Sequence, residues 1–192
     1  MIRLKIFRAG LSVFLLAMSF SLAAQTTQKQ KFQPAFAAGY LFGANVSPHQ
    51  FNYASGASFK GILQTDLRNA SSVGVLVGLD KYGETTFYPV GLTFNLKSKK
   101  ESAAGFLLET GYAFGRSKIE DLNWRYDLEG SLFVTLGAKW SYTISECLTL
   151  QPSISATTHN STLTYESEIG NSYSIVQDQV AFMVHLGLLF NK

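Results

Sequence analysis

Few residues in this 192-residue chain have the chemistry for catalysis, and they are widely scattered. His159 and Ser161 stand two apart, with Glu166 and Glu168 downstream. An imidazole can take a proton from a serine hydroxyl while a carboxylate orients the ring, so such a set is raw material for a nucleophilic site. Here the pair opens a polar stretch after Thr157-Thr158, and ordinary loop composition accounts for it, so no catalytic residue is assigned. His49, His159 and His185 are far apart, and no Asp/Glu/His spacing suggests a metal ligand set. Cys147 is the only cysteine, which excludes an internal disulfide and a thiolate zinc site. No glycine-rich phosphate loop is present. Gly74 and Gly78, or Gly111 and Gly115, recur as small residues within strands, and no cofactor is expected.

The elements that must carry these residues are strands. From Val180 to Phe190 every even position is bulky and apolar, while Ala181, Met183, His185, Gly187 and Leu189 alternate with them. Alternate residues of a strand face opposite sides, so one side here is greasy throughout. Eight strands are predicted, at about 35–46, 56–67, 72–80, 85–96, 102–115, 128–143, 147–158 and 176–191. The fourth sets Tyr88, Val90, Leu92, Phe94 and Leu96 against Phe87, Pro89, Gly91, Thr93 and Asn95. The fifth sets Phe106, Leu108, Thr110, Tyr112 and Phe114 against Leu107, Glu109 and small residues. The sixth sets Leu132, Val134, Leu136, Trp140 and Tyr142 against Phe133, Thr135, Gly137 and Lys139. No sustained helical stripe competes with this reading.

The N-terminus gives the address. Arg3, Lys5 and Arg8 precede a short apolar core over 11–20, and small residues follow to Ala24. That is the layout of a cleavable secretory signal over 1–24, cut after Ala23 or Ala24, because the core is about half the roughly 20 residues of a spanning helix. Residues 25–34 are a polar lead-in, and 35–192 form a single barrel domain. The signal holds three of the sixteen basic residues and no acidic one, which leaves thirteen basic against thirteen acidic in the mature chain. The high isoelectric point therefore comes from the signal and is no evidence for nucleic-acid binding.

Connections at about 47–55, 116–127 and 159–175 are long, 81–84 is short, and those at 68–71, 97–101 and 144–146 are all short. Outer-membrane barrels have short periplasmic turns and longer external loops, so an even strand count puts both termini on the periplasmic side. The second face is mostly small or neutral, with isolated charges at Lys60, Asp66, Asp80, Glu109 and Lys139. A water-facing surface would be far richer in charge, whereas a narrow lumen accepts small residues. The fold expected is an all-β, eight-stranded antiparallel up-and-down transmembrane β-barrel with its greasy face toward lipid. Phe36, Phe94, Phe106, Trp140, Tyr142 and Phe190 fall near one rim; Tyr40, Phe42, Tyr88, Tyr112, Phe114 and Phe182 fall near the other. Two such belts belong at the two interfaces of a membrane. Glu109 and Lys139, inward on neighbouring strands, are expected to share a polar cluster in the lumen, because an unpaired interior charge is costly.

With its signal peptide, its strand alternation and the terminal His185-Leu-Gly-Leu-Leu-Phe190, the chain resembles the small eight-stranded outer-membrane barrels of the OmpA/OmpX type. The resemblance implies export, periplasmic chaperones, and insertion by the barrel-assembly machinery reading the last strand, with Phe190 as the assembly signal. It implies an anchor, adhesin or loop presenter rather than an enzyme. Lipid-A deacylases of the same barrel type carry a His-x-Ser pair and a downstream Glu, but the residues around His159 do not reproduce their longer signature. A monomer in outer-membrane lipid, non-enzymatic, with a structural or surface-binding role is expected. A small pore or transporter is the alternative, and a lipid-A-modifying enzyme a more distant one. Any recognition is expected to use 116–127 and 159–175, through Trp124, Tyr126, Tyr165 and Tyr173, since large aromatic side chains suit binding surfaces.

Overall fold

The structure is a computed structural model, and it describes residues 32–47, 50–67, 71–83, 85–96, 104–117, 124–167 and 172–191. The expected signal, most of the expected lead-in, His49 and Glu168 lie outside the described residues. Ten strand segments run in order: β1 Phe32–Ser47, β2 Gln50–Leu67, β3 Ser71–Tyr82, β4 Thr85–Leu96, β5 Gly105–Ser117, β6 Trp124–Glu129, β7 Ser131–Lys139, β8 Tyr142–Ser145, β9 Leu148–Ser167 and β10 Ser172–Phe190. All neighbours are antiparallel, and β10 pairs with β1 as well as with β9, which closes the sheet. The fold is a closed, eight-strand, up-and-down barrel.

Eight positions around the barrel accommodate ten segments because β6, β7 and β8 share one wall against β9. Two sequence features divide that wall. Between the pairs Glu129–Thr162 and Phe133–His159, the β6/β7 side uses one residue more than β9, a bulge at Gly130. At the other end Trp140 N donates to Pro152 O at 2.9 Å. Proline has no N–H to return, so the ladder pauses at 140–141 before β8.

The greasy faces point outward. Leu132, Val134 and Leu136 on β7 are exposed, as is every even residue from Val180 to Phe190 on β10. The eleven residues from Val180 to Phe190 match the length a tilted strand needs to cross a hydrocarbon layer. Most of the aromatics of both expected belts are exposed too. Phe36 meets Phe190 edge-on at one rim, and Tyr40–Phe42 and Tyr112–Phe114 pair edge-on toward the other. Phe190 is thus an outward rim residue, paired through the ladder with Leu148.

Two expected connections are instead strand. The 47–55 loop becomes the ends of β1 and β2, and 159–175 becomes the ends of β9 and β10, joined over 168–171. β-Branched residues Thr158, Thr162, Thr164, Ile175 and Val176 favour this extension, and cross-strand bonds tie it. Asn160 Nδ2 donates to Asp178 Oδ1 at 2.6 Å, and the hydroxyls of Thr164 and Ser174 lie 3.1 Å apart. The Asn160–Asp178 bond sits on the outer face one step beyond Val180, where the apolar belt ends. The barrel wall is therefore uneven. The β6, β9, β10, β1 and β2 side stands tall, while β3 and β4 turn back at Gly83, whose φ of 53° suits a tight hairpin.

Candidate functional site

Inward-facing residues divide the lumen into two regions. Toward the rim that carries Phe32 and Phe190, Lys60 of β2 reaches across to Glu109 of β5, Nζ to Oε2 2.5 Å, with both side chains almost fully buried. Neither strand neighbours the other, so this contact spans the interior. Asn95 Nδ2 donates to Ser72 Oγ and Gln64 Oε1, and Thr135 Oγ1 donates to Thr157 Oγ1 at 2.8 Å. Lys60, Glu109, Lys139, Gln151, Ser153 and His185 share the lining of one cavity of about 20 Å³. Roughly 10–15 Å³ by this measure holds one water. Glu109 and Lys139 thus line the same cavity, and Glu109 is ion-paired with Lys60. The long side chain of Lys60 crosses the narrow lumen to reach that carboxylate. Asp66, expected on the inner face, is exposed at the end of β2.

Toward the other rim the lumen is plugged. Leu41, Tyr82, Phe87, Ala113, Phe133 and Met183 pack together with little or no exposure. His159 lies among them, 0% exposed. Its ring stacks on Phe87 at 4.8 Å and 14°, meets Tyr82 edge-on at 6.2 Å, and lies 5.9 Å from Phe133. The expectation of a loop around His159 and Ser161 is corrected: both are buried, inward-facing residues of β9. Glu166 is not the carboxylate beside this histidine. It lies on the outward face of β9, about 23 Å further along at 3.3 Å per residue. The nearby carboxylate is Asp80 of β3, Oδ2 3.9 Å from His159 Nε2. Neither imidazole nitrogen has a hydrogen-bond partner among the described residues, so no hydrogen bond joins His159 to Ser161. Strand alternation could have placed Asp80 and His159 inward; only the closed barrel brings them together.

The tall wall gathers the loop aromatics. Tyr126 of β6 is opposite Tyr165 of β9, which is opposite Tyr173 of β10, so the three tyrosines form one row across the sheet. Two residues further along toward the lumen, on the same face, the row is Leu128, Leu163 and Ile175. Tyr165 packs partly buried against the plug, whereas Tyr173 is 61% exposed and Ile175 40%. Trp124 is one row beyond Arg125, opposite Ser167. Sequence spacing separates Tyr126 from Tyr165 by a whole hairpin, and the β6–β9 register removes that separation.

Comparisons with known proteins agree with the architecture. No protein-family model matches the chain, and no curated protein matches it. Among solved structures, the crystal structure of Neisserial surface protein A aligns with a TM-score of 0.55 at 11% identity, covering 83% of this chain and 98% of that one. The outer membrane protein OprG from Pseudomonas aeruginosa aligns at 0.51 and 9% identity, covering 85% of this chain and 98% of that one. The outer membrane protein AlkL, solved in lipid bilayers, aligns at 0.51 and 12% identity, covering 87% of this chain and 95% of that one. These likenesses establish the fold as that of small outer-membrane β-barrels.

Proposed function

We propose that this protein is an exported, integral, non-enzymatic barrel of the outer membrane that acts through the strand-built wall at its loop end. The observation that carries the binding role is the row Tyr126, Tyr165, Tyr173, backed by Leu128, Leu163 and Ile175. Aromatic side chains offer large contact area for little rotamer entropy, and the exposed Tyr173 stands beyond the polar edge of the lipid belt. The belts and strand lengths support residence in a membrane, with both chain ends on the periplasmic side. The packed lumen supports this reading over a diffusion pore. An eight-stranded interior is only wide enough for its own side chains, and Phe87, Phe133, Leu41 and Met183 fill its loop end.

Two measurements test the proposal. Fractionation should recover the mature chain in outer membranes, and recovery in soluble periplasm without detergent overturns the location. Cells displaying the wild-type barrel should adhere to a mammalian cell monolayer or to one another. Adhesion should be lost when residues 164–174 are replaced by a two-residue turn or when Tyr173 becomes Ala, while heat-modifiable mobility shows the barrel still assembled. Adhesion that survives both changes overturns the role of the tyrosine row.

A further inference from the structure

The plugged end of the lumen contains a concentration of polar atoms that the protein itself does not satisfy. Asp80 Oδ1, Tyr82 Oη, both nitrogens of His159, and both amide atoms of Gln179 are buried without hydrogen-bond partners among the described residues. These four residues are neighbours. His159 pairs with Gln179 in the β9–β10 ladder, its ring lies 6.2 Å from that of Tyr82, and Asp80 is two residues before Tyr82 on the same inner face. Asp80 is 2% exposed and His159 and Gln179 no more than that. Buried polar groups are normally paired, and a buried carboxylate normally has a counter-charge or a metal. Lys60 is hydrogen-bonded to Glu109 and also acts electrostatically on Asp80, but it makes no hydrogen bond to Oδ1 of that carboxylate.

We propose that Asp80 and His159 bind a divalent transition-metal cation, with Zn²⁺ as the representative ion, at the loop end of the lumen. The separation of 3.9 Å between Asp80 Oδ2 and His159 Nε2 is too long for a hydrogen bond and suits an intervening ion. Zinc bonds to nitrogen and oxygen are each about 2.0–2.2 Å, so two of them span up to roughly 4 Å, and a tetrahedral angle needs a closure of only about 0.5 Å. No group of three or more His, Cys, Asp or Glu among the described residues surrounds one point. The remaining positions therefore go to neutral oxygens, Gln179 Oε1 and Tyr82 Oη, or to water. Such a set holds its ion more weakly than a structural zinc site does. An imidazole ligand favours Zn²⁺ over Mg²⁺ or Ca²⁺, which prefer all-oxygen cages. The rings of Phe87 and Phe133 shield the site from bulk water on two sides. The cation would add positive charge at Asp80 and take one imidazole nitrogen of His159 and the Gln179 amide oxygen as ligands.

Zinc titration of the full-length mature barrel, folded in detergent and stripped with chelator, tests the proposal by competition with a fluorescent indicator. One equivalent of Zn²⁺ should bind and raise the unfolding temperature, and excess Mg²⁺ should not displace it. His159→Gln, which retains most of the side-chain volume, and Asp80→Asn should each weaken binding at least tenfold and remove the thermal shift. His185→Gln, a buried histidine in the opposite half, should leave both unchanged. Heat-modifiable mobility verifies folding in every variant; should Asp80→Asn fail to fold, His159→Gln and His185→Gln decide. Equal binding by wild type and His159→Gln, loss of binding in His185→Gln, or a zinc-soaked crystal with only water between Asp80 and His159 would overturn the proposal.

Discussion

Toward the rim with the chain ends, the lumen is held by polar contacts: Lys60 to Glu109, Asn95 to Ser72 and Gln64, Thr135 to Thr157. Toward the opposite rim it is held by rings and aliphatic side chains: Leu41, Phe87, Phe133 and Met183 around His159. Both regions come from the same strands with the same alternation, so closure of the barrel does not dictate the chemistry of its filling. The polar region specifies particular partners, because a misplaced charge there has no solvent to escape to. The apolar region specifies volume, and it leaves the polar atoms caught inside it without partners. Stability in the first region therefore depends on pairs, and in the second on packing.

The largest effect should come from separating the ion pair. Lys60→Met leaves two buried carboxylates, Glu109 and Asp80, without their nearby cation, a loss of about 3–5 kcal/mol. Glu109→Leu leaves Lys60 facing Asp80 and should cost less, and the double replacement should fall below Lys60→Met. Denaturant unfolding of folded barrels in micelles measures all three. Equal destabilisation by single and double variants would mean that packing, rather than pairing, governs that half as well.

Next in size is the plug. Phe87→Ala should cost about 3 kcal/mol, the lower end for a buried phenylalanine, because water can enter beside Asp80 and His159. The wild type should show no conductance steps in a planar bilayer. Combining Phe87→Ala with Phe133→Ala should introduce small ones, which would identify the rings as the barrier. Steps in the wild type would instead favour the pore reading. The smallest effect belongs outside the lumen. Asp178→Ala removes the exposed bond from Asn160 and should change stability by less than about 1 kcal/mol, which a urea midpoint resolves. A larger loss would show that the projecting wall contributes to barrel stability rather than only to recognition.

The loop end was the hardest part to read in advance. Residues 159–175 mix Ser, Thr and Glu with Leu163, Tyr165 and Tyr173, and polar composition argued for loop. The alternation survives in that stretch, but a strand projecting past the lipid belt has no greasy outer face to announce it. Lys60 was visible as an inward charge, yet its partner was not, since ladder neighbours are a poor guide where a long side chain crosses the lumen. The breaks around β7 were likewise hidden. A bulge at Gly130 and a missing donor at Pro152 alter local pairing without changing the alternation on either side.

By itself the sequence determined the barrel class, the outward faces of the strands and the aromatic belts, because a period of two is a local property that any window of the chain displays. It also placed Glu109, Lys139 and Asp80 on the inner face. Only closure decided that Lys60 meets Glu109, that His159 stacks on Phe87 and approaches Asp80, and that Tyr126, Tyr165 and Tyr173 share a row. Those contacts depend on the stagger and diameter of the closed sheet, which bring distant strands together across a space no local pattern records.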